Sequence, residues 1–147
     1  MTALGAPRNV ARYGDSNLPD LFKLPVADNV KIYQGALVVK DSAGRAKPAV
    51  TATGLIAVGI ALKDYDNTVS GHAAGAFDVE IRAGVFPFVN SASGEALAQA
   101  DVFNTCYAVD DQTVSKTDGS GAQSAAGKVT LVNEGGDGLV WVHVSPY

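Results

Sequence analysis

The side chains that could do chemistry are few and scattered. Gly121-Ala-Gln-Ser-Ala-Ala-Gly127-Lys128 has the outline of a phosphate-binding loop. Such a loop spaces its glycines by four residues and follows its lysine with Ser or Thr, whose hydroxyl holds Mg²⁺. Here five residues separate the glycines and Val129 follows the lysine, so the stretch reads as a turn leading into a strand. Asp64-Tyr65-Asp66-Asn67 opens like a calcium loop. An EF-hand then needs Asp or Asn at the fifth position, Gly at the sixth and a bidentate Glu at the twelfth. Those positions carry Thr68, Val69 and Gly75, which leaves solvated turn carboxylates. A looser calcium site drawing on Asp110 and Asp111 is the remaining form such a site could take.

His72, His143 and Cys106 are the other metal-ligating or nucleophilic types. A zinc site needs more ligands than two histidines and a cysteine set in an apolar stretch. A Cys106–His143 pair is a formal nucleophile and base, but no oxyanion loop or helix N-terminus flanks the cysteine to activate it. A buried, inert thiol is the reading that its neighbours favour. No Ser-centred G-x-S-x-G motif occurs. No catalytic residue, cofactor or metal is therefore expected, and the chain does not read as an enzyme. Tyr13, Tyr33, Tyr65, Tyr107, Tyr147 and Trp141 could line a sugar-binding face, for instance where Tyr65 to Asn67 sets an aromatic beside Asp and Asn. Their spacing does not cluster them, and core or interface filling is the competing role.

Whatever these residues do, they must be positioned by a fold of modest size. The chain has 147 residues, 47% hydrophobic and 18% charged. That suits one globular domain, which hides roughly 68–70% of its unfolded surface on folding. Net charge is −4 with a pI near 4.9. Arg and Lys are scattered without a basic run, so neither nucleic acid nor an anionic membrane is an expected partner. The single cysteine rules out an intrachain disulfide and points to assembly in a reducing compartment. No apolar run approaches the length of a membrane helix, and no basic-then-apolar leader marks a signal peptide.

Residues 1–30 hold Pro7, Pro19 and Pro25 among Gly, Asn and Asp, and predict an extended N-terminal arm. Apolar residues dot it, and Leu18, Leu21, Phe22 and Leu24 are the candidates for contact with a partner or with the chain's own domain. From residue 31 to 147 short β segments follow one another. Ile32 to Lys40 predicts one strand. Leu55 to Leu62 is apolar enough for a strand buried on both faces. Phe77 to Arg82 alternates, with Phe77, Val79 and Ile81 inward. Val85-Phe86-Pro87-Phe88 follows, and Pro87, which lacks a donor, predicts an edge strand or a bulge. Ser93 to Val102 predicts a short turn capped by Ser93 over Ala96, Leu97 and Ala100. Thr105 to Val109 is a further strand. Lys128 to Val132 and Leu139 to Val144 read as a hairpin around Asn133–Gly138, with Val140, Val142 and Val144 on one face and Leu139, Trp141 and His143 on the other. The expected architecture is all-β: a small β-sandwich or barrel, jelly-roll-like, carrying the arm.

Over Gly35 to Val144 the order of these segments resembles the capsid decoration, or cement, proteins of tailed bacteriophages. The residues that carry the likeness are Gly35-Ala-Leu-Val38, Pro48-Ala-Val50, Val58-Gly59-Ile-Ala61 and Val79-Glu-Ile-Arg-Ala-Gly84-Val-Phe86. Asp101, Cys106-Tyr-Ala-Val-Asp-Asp-Gln-Thr-Val114, Ala126-Gly127-Lys128-Val129 and Val140-Trp-Val142 complete it. The resemblance implies a homotrimer, or a homodimer at twofold positions, seated on the outside of a shell of HK97-like major capsid protein. It implies localisation on the virion, assembled in the host bacterial cytoplasm, and no catalysis. A carbohydrate- or receptor-binding β module is the alternative expectation.

Overall fold

The computed structural model describes residues 20–133 and 136–147, and these are all-β. Five strands form one antiparallel sheet in the order β1 (Leu21–Pro25), β7 (Asp78–Arg82), β5 (Ile56–Ala61), β3 (Leu37–Lys40), β4 (Ala46–Pro48). Another five close a barrel in the order β10 (Thr113–Ser115), β8 (Gly84–Asn90), β12 (Leu139–Val144), β11 (Ala125–Val132), β9 (Thr105–Ala108). A ribbon of β2 (Lys31–Ile32) and β6 (Tyr65–Asp66) flanks the sheet.

Two apolar cores follow from the residue pattern. The barrel core holds Phe88, Leu97, Cys106, Val114, Val129, Val140, Val142 and Val144. The sheet core holds Val26, Ile32, Val38, Val58, Tyr65, Val79 and Ile81, with Phe22, Leu24 and Phe77 packed on it. Strands β3 and β5 join the two. Leu37, Val39 and Ala57 point into the barrel core, whereas Val38 and Val58 point into the sheet core. Successive side chains of a strand face opposite ways, so an uninterrupted apolar run is what a strand between two cores requires. That is the condition that LIAVGIAL meets. Gly59 sits in it because a Cβ there would overlap the Arg82 carbonyl on β7.

Alternation works on one-sided strands. Val79 and Ile81 are fully buried while Asp78 and Arg82 are exposed. Val140, Val142 and Val144 fill the barrel, and Leu139, Trp141 and His143 face out. The β11–β12 hairpin forms with a register shift between Val129 and Leu131.

Several expectations are corrected. Leu21–Pro25, placed in an extended or irregular arm that contacts a partner or its own domain, is a strand of that domain: all five residues pair with β7, Leu21 opposite Arg82 through Pro25 opposite Asp78. The open edge of β7 leaves backbone donors and acceptors that need partners, and this segment supplies them. The domain therefore includes residues below 30. Leu18 and the rest of residues 1–19 lie outside the described residues. Ile32–Lys40 is two strands, broken by a turn in which the Ala36 N–H donates to the Tyr33 carbonyl and Gly35 takes a φ of +83°. Ser93 caps nothing with its side chain. It lies in the first of two 3₁₀ turns, Ser93–Glu95 and Gln99–Asp101. The segment is held instead by Asn90, whose side chain both accepts from and donates to the Leu97 backbone, and by Asp101, whose carboxylate accepts the Ala98 N–H. Leu97, 4% exposed, packs into the barrel core.

Candidate functional site

Cys106 points into the barrel core, its thiol donating toward the Gly127 carbonyl at 3.6 Å. Burial pushes its pKa up from 9.0 to about 12, the opposite of what a nucleophile needs. His143 is on the other side of the same wall, exposed on β12. His72 stands edge-on to Phe77 in a separate loop. The structure therefore does not bring the thiol and the imidazoles together.

The carboxylates are committed to turns. Asp64 accepts the Gln34 N–H, Asp66 accepts from both the N–H and the hydroxyl of Thr68, and Asp110 accepts the N–H groups of Gln112 and Thr113. The Thr68 bonds hold the Asp66 carboxyl below its ordinary value. Among the described residues no group of three His, Cys, Asp or Glu side chains is placed to share a metal ion. The Gly121–Lys128 stretch leads into β11, where a Cβ on Gly127 would overlap the His143 carbonyl. Tightness of backbone packing, not phosphate, is what that glycine answers to.

Tyr65 and Asn67 are internal. The Tyr65 hydroxyl accepts the Glu80 N–H, and Asn67, 1% exposed, donates to the carbonyls of Ala27 and Ala73. The aromatic-plus-amide surface expected at 65–67 is a structural staple.

What the barrel does present is an apolar outer face. Val85, Pro87 and Val89 of β8 stand on the same side of the wall as Leu139 and Trp141 of β12 and Leu131 of β11. Cross-strand partners make it continuous: Val89 is opposite Leu139, Pro87 opposite Trp141, and Trp141 opposite Leu131. Val85, Val89 and Leu131 are each more than two-fifths exposed. His143 and Lys128, themselves a cross-strand pair, form a polar end beside Val85. A sheet that alternates buried and exposed positions ordinarily puts polar residues on the outside.

No family model, curated protein or solved structure matches the chain.

The candidate edge segment is divided by this geometry. Val85 and Pro87 face out, Phe86 is half-buried against the barrel core, and Phe88 is inside it. Strand β8 pairs with β12 from Gly84 to Val89, but with β10 only at Val89 and Asn90. The Val89 N–H donates to Gln112 on the β10 side, so by alternation the Pro87 nitrogen points to that side too, where no strand of the described residues reaches. Of the arm candidates, Leu21 is exposed, while Phe22 and Leu24 pack on the sheet core. The Phe22 ring also meets the Tyr147 ring at 5.9 Å. Sequence reasoning placed Leu139 and Trp141 on one face but did not connect them with Val85, Pro87 and Leu131. Only the β8–β12–β11 order makes that connection.

Proposed function

We propose that this chain is a structural protein of a bacteriophage virion, binding the outer surface of an icosahedral capsid and cementing neighbouring major capsid protein subunits of the HK97-like kind. The observation that carries the reading is the apolar outer face of β8, β12 and β11. It has the composition of the centre of a protein interface: aliphatic residues around a tryptophan, with charge kept to one end. Covering it with another polypeptide removes half-exposed aliphatic side chains from water, at about 25 cal/mol per Å² of apolar area. The resemblance of Gly35–Val144 to decoration proteins supplies the partner. The buried, protonated state of Cys106 and the turn-bound carboxylates fit a role that needs no chemistry.

In this reading the protein works as a homotrimer, with a homodimer as the other symmetric arrangement, and many copies on one shell turn weak single contacts into a firm clamp. Co-sedimentation with expanded shells of an HK97-like capsid protein tests it. The expected result is that the wild-type chain pellets with shells, whereas Val85→Asp/Leu131→Asp stays in solution with its thermal melting almost unchanged. A wild-type chain that never associates with any shell ends the reading.

A further inference from the structure

A second surface of different chemistry lies at the junction of the two lobes. Tyr33, Gln34, Gly35 and Ala36 from the β2–β3 turn and Asp111 and Gln112 from the β9–β10 turn line an open groove of about 370 Å³. That is within the range of roughly 300–1,000 Å³ usual for small-molecule sites. We propose that this groove binds a neutral saccharide, with Tyr33 as the stacking platform and Asp111, Gln34 and Gln112 as the hydrogen-bonding groups.

The backbone on both banks is held in place. The Gln34 N–H donates to Asp64 at 2.8 Å, the Gly35 N–H to the Ala61 carbonyl at 2.9 Å, and the Leu37 N–H to the Asp111 carbonyl at 2.8 Å. On the other bank the Gln112 N–H donates to Asp110 at 2.9 Å, and the Gln112 carbonyl accepts the Val89 N–H at 2.8 Å. By contrast, the side chains of Tyr33, Gln34 and Gln112 take no part in any hydrogen bond among the described residues, and the Asp111 carboxylate meets only its own backbone N–H. The fixed backbone removes part of the ordering cost of binding, and the polar side chains are left for the ligand to order.

Tyr33 is 55% exposed. The Lys31 ammonium lies over its ring at 5.1 Å, and Tyr33 but not Lys31 lines the groove, where an aromatic ring can stack on a sugar's C–H surface. A carboxylate accepts from paired hydroxyls, and each glutamine amide both donates and accepts, which is the complement of a polyol edge. Anions are opposed by Asp64, Asp110 and Asp111 around the site. Burial, then the neighbouring Asp110 charge, raises the Asp111 carboxyl above its ordinary value. The site shares no residue with the outer barrel face, so it stands or falls apart from the capsid reading.

The test is a titration of isotopically labelled protein with maltotriose, chitotriose and lactose in turn, following backbone amide shifts. Saturable shifts at Gln34, Gly35, Asp111 and Gln112 with at least one of the three are expected at millimolar concentration. Tyr33→Ala should weaken that binding about tenfold or more, equivalent to about 1.4 kcal/mol. Tyr33→Phe should retain it, and Asp111→Asn should weaken it. Unchanged amide positions elsewhere establish that each variant is folded. Absence of saturable shifts with all three sugars overturns the proposal, and so does binding that Tyr33→Ala leaves untouched.

Discussion

Strands β3 and β5 of the five-stranded sheet send side chains into both cores, but the barrel and the sheet close those cores by different means. The barrel is closed by backbone: every neighbouring pair around the ring, including β10 with β9 and β10 with β8, is a hydrogen-bonded ladder. Its core is aliphatic apart from Phe88 and the Cys106 thiol. The sheet curls until its edge strands meet only at the Val26–Ala46 bridge and the Ala27 N–H to Ala46 carbonyl bond. Polar side chains complete that lobe. Asn67 ties the 27 and 73 carbonyls, and the Tyr65 hydroxyl takes the β7 N–H of Glu80. One lobe is therefore sensitive to volume and backbone clearance, the other to single polar staples.

Phe88→Ala should sharpen the contrast most. It cuts the largest side chain of the barrel core and should cost about 3–5 kcal/mol in chemical denaturation, from lost transfer energy plus the cavity left behind. Gly127→Ala comes next. A Cβ there meets the His143 carbonyl, and the loss should lie near the top of the ~1–3 kcal/mol typical of overpacking. Asn67→Ala probes the other lobe. A buried carbonyl, Ala27, and a part-buried one, Ala73, lose their donor, for about 1–3 kcal/mol. A loss confined to a few tenths would erase the distinction between ladder closure and staple closure.

The smallest of these effects at neutral pH comes from Cys106. Its folded pKa of about 12 lies above its ordinary 9.0, so below pH 9 the thiol is protonated in both states and pH-dependence from it vanishes. Above that the unfolded chain ionises and the folded one does not, so stability falls by about 1.4 kcal/mol per pH unit until the folded value is reached. Cys106→Ala should melt with a shallower alkaline decline than wild type. Iodoacetamide at neutral pH should leave the folded thiol unmodified. Rapid labelling of folded protein would contradict the position assigned to it inside the barrel.

The two surfaces differ as the cores do. The outer barrel face is broad, apolar and spread over three strands, whereas the Tyr33 groove is narrow, polar and built from two turns. The first was partly visible in the sequence, because Val85, Pro87, Leu139 and Trp141 each occupy outward positions of recognisable strands. Tyr33 stood among the aromatics that could line a sugar-binding face and Asp111 among the possible calcium ligands, but the sequence, which reads Ile32 to Lys40 as a continuous strand, did not bring the two together. Tyr65 stood out beside Asp66 and Asn67, yet the fold turns it inward, since its hydroxyl can satisfy a β7 N–H that has no strand partner. Residues 21–25 read as irregular because LFKLP is short and ends in proline. Alternation within it, Phe22 and Leu24 inward, is meaningful only beside an open strand edge.

From the sequence alone came the all-β class, the inward faces of β7 and β12, the two-faced burial of β5, and the incompleteness of every catalytic or metal motif. These are properties of period and residue type, which act locally along the chain. The tertiary structure decided which strands are neighbours, that β3 and β5 serve two cores, that β1 belongs to the sheet, and which outward residues merge into one apolar face. Strand pairing joins residues remote in sequence, and its energetics depend on backbone partners and packed volume that no local pattern specifies.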